Sequence, residues 1–150
     1  MYKAMVVGML AFGASCTYRM GRGLPMDPSL ALGEIQAATS IQGAEEALSQ
    51  ALVRELARRS GRGAPQVVNL ELLHLEDAPS ASGSRQSRLR LAIALSSDGD
   101  HRVVVAGTRV YVGASTAAEN ATRRQEALSA LAEELIEEGL PQLFIPTRKD

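Results

Sequence analysis

Apolar and polar positions along the chain alternate with a period that switches repeatedly between two and about 3.6 residues, and the switches mark its elements. From Leu32 to Ile41 (LGEIQAATSI) the apolar residues fall at loosely alternating positions, which predicts a strand. The period then lengthens. Ala44, Ala47, Leu48, Ala51, Leu52 and Leu56 recur every three or four residues, with Glu45, Glu46, Arg54, Arg58 and Arg59 on the other side, so an amphipathic helix is expected. Its acidic pair lies in the first turn, its arginines in the last, and Gly61 and Gly63 stop it. Val67 to Leu75 (VVNLELLHL) alternates up to Leu73 and then slips, the mark of a strand with a bulge. Asp77 to Gln86 reads as a mobile connection.

Arg88 to Leu95 is the most regular strand, with Leu89, Leu91, Ile93 and Leu95 on one face and Arg88, Arg90, Ala92 and Ala94 on the other. Asp98-Gly99 supplies a hairpin turn. On the returning strand, Arg102 to Val112, residues Val104, Ala106, Thr108, Val110 and Val112 share one face, and Val103, Val105, Gly107, Arg109 and Tyr111 the other. A last helix runs from about Ser115 to Glu138, its stripe formed by Ala121, Leu128, Leu131, Ala132, Leu135 and Ile136, with Gly139 and Pro141 expected to end it. The order β-α-β-β-β-α predicts an α/β (α+β) two-layer sandwich: a four-stranded, mainly antiparallel or mixed sheet with both helices on one face. The other face is then exposed or partnered. Both sides of Arg102 to Val112 are largely apolar, which an ordinary wetted face would not be.

The first sixteen residues do not belong to this pattern. Lys3 and the amino terminus precede an apolar run from Ala4 to Ala14, and Gly13-Ala14-Ser15 lead to Cys16, the only cysteine. The run is about a dozen residues, short of the roughly 20 that span a bilayer. Residues 1–15 therefore read as a lipoprotein signal peptide, and Cys16 as the residue that receives the lipid. Gly13 stands where such sites usually carry Leu. An ordinary signal peptide, or a buried first strand with a core cysteine, is the other reading. Residues 16–30, with Gly21, Gly23, Pro25 and Pro28, form a leader, and 31–150 a single domain of a size that supports one core.

The formal charge of −1 becomes −2 once Lys3 is removed, so nothing draws the domain to nucleic acid. With Cys16 lipidated, no disulfide is possible. Aromatics are few, and the core must come from Leu, Val, Ile and Ala. No nucleophile elbow, phosphate loop, metal-ligand spacing or carboxylate pair occurs, and His74 and His101 are singletons, so an enzyme is not expected and no metal or cofactor is called for. Arginines offer the one candidate site. Arg85, Arg88 and Arg90 precede or lie on one strand, Arg102 and Arg109 on its neighbour, and side chains on one face of adjacent strands approach within about 5 Å. Such a patch clamps phosphate-bearing groups bidentately; alternatively these are solvated charges protecting an edge.

Cys16 with Thr17-Tyr18-Arg19-Met20-Gly21, then Leu24-Pro25, a strand, an Ala/Leu/Arg helix, three strands and a long Ala/Leu/Glu helix together resemble the LptE-like lipopolysaccharide-assembly lipoproteins over nearly all of the mature chain. The resemblance implies a domain lipid-anchored in the outer membrane on its periplasmic side. It would plug an outer-membrane β-barrel translocon and bind lipopolysaccharide, with Arg85, Arg88, Arg90 and Arg109 as the candidate contacts. Thr17, where inner-membrane retention is associated with Asp, is in keeping with that address. The competing class is a periplasmic lipoprotein adaptor of a cell-wall synthase, secretion or motility complex; fold alone does not separate the two.

Overall fold

A computed structural model describes residues 28–37, 43–81, 83–98 and 101–144. Cys16, the segment read as a signal peptide and all but the last residues of the segment read as a leader lie outside them. The elements are β1 (Ser29–Ala37), α1 (Ala44–Arg59), β2 (Pro65–Pro79), β3 (Gln86–Ser97), β4 (Arg102–Val112) and α2 (Ala117–Leu143). One sheet of order β1-β2-β3-β4 carries both helices on one side, as the alternating period predicts. β1 and β2 run parallel, which needs a crossover, and α1 supplies it. β2, β3 and β4 form an antiparallel meander.

The core lies between the layers. Leu48, Leu52 and Leu56 of α1 and Leu128, Leu131 and Leu135 of α2 are buried with Leu89, Leu91, Ile93 and Leu95 of β3, joined by Val68, Leu70 and Leu72 of β2. Each fully buried side chain of this kind stabilises by about 1.5–3 kcal/mol. Outside, Arg54 pairs with Glu133 and Arg58 with Glu137, tying the two helices together across their solvent side. Such exposed pairs add little each.

Four expectations change. β1 starts at Ser29, inside the segment read as leader, and ends at Ala37. β2 continues to Pro79, so that Asp77 is a strand residue and not part of a mobile connection. Ala121 is exposed, and the buried stripe of α2 begins at Ala127. Finally, α2 does not stop at Gly139 and Pro141 but carries the proline inside it and ends at Leu143. The proline removes one helical hydrogen bond, yet Leu140 and Leu143 beyond Gly139 are buried in the core. Gly139 itself sits against the sheet so closely that a Cβ there would lie 3.0 Å from Leu95 Cδ1 and 3.2 Å from both Val105 methyls. Burial of this last turn outweighs the local stop signal.

Candidate functional site: the open face of the sheet

Register decides which side chains meet on the face away from the helices. Arg88 stands opposite Ala78 and Val110, Arg90 opposite Glu76 and Thr108, and Arg102 opposite Ser96. Val104, Ala106, Thr108, Val110 and Val112 of β4 alternate onto this same face, beside Ala92 and Ala94 of β3. Val104, Val110 and Val112 are 54%, 50% and 49% exposed, and Leu73 beside the β2 bulge is also exposed. β-branched side chains at this exposure form an apolar strip on one edge of an otherwise wetted sheet. Charge frames it: Arg90 Nη1 lies 3.4 Å from Glu76 Oε2, and Arg102 Nη2 lies 2.7 Å from Glu71 Oε2.

At the β1 side of the face the sequence builds a bulge. Gly33 and Glu34 together oppose Asn69, whose Oδ1 accepts the Glu34 N–H at 2.8 Å. The Asn69 side chain lies across Gly33, where a Cβ would sit 2.1 Å from Oδ1, so any larger residue would displace Asn69 from its bond to Glu34. The result is a shallow polar depression of about 190 Å³ lined by Glu34, Gln36, Asn69, Glu71, Ser96 and Arg102, among others.

Of the four arginines proposed to bind an anion, the structure brings two onto one face. Arg88 and Arg90 are neighbours there. Arg85 is exposed just ahead of β3, its carbonyl accepting the Gly113 N–H at 2.6 Å. Arg109 is the correction: it pairs in register with Leu89, on the helix side of β4, and lies 3.7 Å from Glu134 of α2. A patch of all four on one face does not form, because Arg109 has the opposite strand parity. Among the described residues Arg85 and Arg88 have no carboxylate partner, whereas Arg90 and Arg109 do.

Two polar clusters lie elsewhere. On the helix side, at the end of the sheet, Asp77 accepts the Tyr111 hydroxyl on both oxygens, at 3.0 and 2.9 Å, and the Arg124 Nε at 2.7 Å. Burial, then the nearby Asp77 carboxylate, pushes the Tyr111 phenol above its ordinary range. On α1, burial would raise the Glu55 carboxyl, but hydrogen bonds and charge from Arg58 and Arg59 outweigh it and hold it below the usual range. Both clusters are structural ties. Among the described residues no three His, Cys, Asp or Glu side chains gather as a metal site, and no helix is long and apolar enough to cross a membrane.

No family model matches the chain, and no curated protein does. Solved structures do. A Caulobacter crescentus CB15 protein provisionally described as a lipoprotein superposes with a TM-score of 0.51 at 16% identity, covering 69% of this chain and 83% of its own. The rare lipoprotein B from Shewanella oneidensis gives 0.46 at 13% identity, covering 75% and 93%. A minor lipoprotein from Acinetobacter baumannii gives 0.46 at 12%, covering 77% and 92%. These structural neighbours are bacterial lipoproteins by description, and at such identities what the first shares with this chain is its fold.

Proposed function

We propose that the protein is an outer-membrane lipoprotein, anchored through Cys16 on the periplasmic side, that acts by binding and not by catalysis. Its open sheet face docks against the wall of a β-barrel translocon, and its arginine corner holds lipopolysaccharide phosphates during transfer. One observation carries the docking claim: three β4 valines about half exposed on the face opposite α1 and α2. A solitary domain gains nothing from leaving them wet, and a barrel wall would cover them. The fold shared with a described lipoprotein and the signal-like segment ending at Cys16 support the anchor. For the anion, Arg85 and Arg88 are the primary contacts, because no carboxylate among the described residues pairs with them; Arg90 must release Glu76 to take part, and Arg109, on the helix side, stays outside the patch.

Affinity purification of the full chain from detergent-solubilised outer membranes, followed by mass spectrometry, tests this. An outer-membrane β-barrel should be enriched. Enrichment of a cell-wall synthase, secretion or motility complex in its place would overturn the translocon reading in favour of an adaptor.

A further inference from the structure

The two edges of the sheet are built differently. β1 is interrupted by the Gly33–Glu34 bulge, which twists an edge strand away from pairing. β4 is not interrupted. Its eleven residues keep unbroken register with β3, from Arg102 opposite Ser96 to Val112 opposite Gln86, and contain no proline. Every second amide and carbonyl along such an edge points outward, ready to pair with another strand. One outward group is already engaged, the Val112 carbonyl, which accepts from Arg123 Nη1 at 3.2 Å.

We infer that β4 pairs antiparallel with β4 of a second copy, about a two-fold axis at Gly107, joining two four-stranded sheets into one. The sequence of the strand is self-complementary about that point. On the open face Val104 falls opposite the partner's Val110, Ala106 opposite the partner's Thr108, and Arg102 opposite the partner's Val112. On the helix side Val105 falls opposite the partner's Arg109, and Val103 opposite the partner's Tyr111. Neither arginine faces its own kind, and the two exposed valine strips merge across the axis; like charges directly opposite would oppose pairing, while β-branched pairs favour it. Beside the edge, the groove between β4 and α2 is lined by Arg109, Tyr111, Arg123, Glu126, Ala127 and Ala130. The pairing leaves the open face of both copies uncovered, so it does not depend on the translocon reading.

Directly opposite residues have Cα atoms about 4.5–5.5 Å apart, within disulfide reach. The register is therefore readable by cysteine pairs in the full chain, run on non-reducing gels against wild type, which controls for Cys16. Ala106→Cys with Thr108→Cys, and separately Val104→Cys with Val110→Cys, should give reducible dimer. Val104→Cys with Thr108→Cys, which aligns no two cysteines, should give only the wild-type level. Light scattering on detergent-purified wild type should report a two-chain mass, and thermal melts check that each variant is folded. A one-chain mass, or dimer forming equally in the misaligned pair, would overturn the inference; so would β4 cysteines cross-linking only to a different protein in cell envelopes.

Discussion

Leu131 of α2 is 1% exposed, and its Cδ1 lies 3.0 Å from where a Cβ on Gly107 would sit. Replacing Leu131 with Ala removes three carbons, about 2–3 kcal/mol of transfer free energy at roughly 0.8 kcal/mol per methylene. The void opens onto the bare backbone of β4 at Gly107, which is paired to Leu91 of β3 and has no side chain to fill it. Little collapse is available, so the cavity adds to the loss and the total should reach about 3–5 kcal/mol. For a domain of this size that is a fall in Tm of roughly 10 °C or more. Gly107→Ala tests the same contact from the other side. Its Cβ would press on Leu131 Cδ1 and Leu135 Cδ2, both at 3.0 Å, and should cost about 1–3 kcal/mol. In the Leu131→Ala background one of those two contacts is gone, so the added alanine should cost measurably less. Urea unfolding of the two single variants and the double variant measures this coupling. Strictly additive losses, or a Leu131→Ala Tm within 2 °C of wild type, would refute the packing of α2 on β4.

Glu55 has its carboxyl depressed in the folded state, so its contribution is complete above the unfolded carboxylate range near pH 4.3 and fades as pH falls through the lower folded value. Glu55→Gln should lower stability at pH 7 by about 1–3 kcal/mol and flatten the acid limb of a stability–pH profile; an unchanged profile assigns that limb to other groups. Tyr111→Phe should remove the highest-pH portion of the tyrosinate absorbance titration, because that phenol is held above its ordinary range, and should cost about 1 kcal/mol. Arg88→Ala with Arg90→Ala should weaken binding of the purified protein to lipopolysaccharide and flatten its dependence on ionic strength, with Tm nearly unchanged because both side chains are exposed. Equal fluorescence-detected affinity of wild type and double variant at two salt concentrations returns these arginines to solvated strand charges.

Helical periodicity located α1, because the stripe from Ala44 to Leu56 and the acidic first turn act locally. The end of α2 was not legible, since Gly139 and Pro141 are stop signals whose local cost is offset by Leu140 and Leu143 packing against residues distant in sequence. The same distinction governs the site. Alternation along β4 showed that both of its faces are apolar, and this is the signal that found the open face. Grouping Arg109 with Arg88 and Arg90 required the pairing register, which no single strand encodes; the register puts Arg109 opposite Leu89 instead. Asp77 was hidden by the small residues and Pro79 that follow it, and its role appears only when the sheet brings Tyr111 and the fold brings Arg124 against it. At Gly33 the glycine was visible but its reason, the Asn69 side chain from the neighbouring strand, was not.

Docking of the open face has an internal control in Val53, which is 48% exposed, close to the 54% of Val104, but belongs to α1 on the other layer. A photo-reactive amino acid placed at Val104, at Val110 or at Val53 of the full chain, and irradiated in intact cells, reads which layer meets a partner. Positions 104 and 110 should cross-link to an outer-membrane β-barrel while position 53 should not. Barrel adducts at position 53 with none at 104 and 110 would contradict docking through the open face.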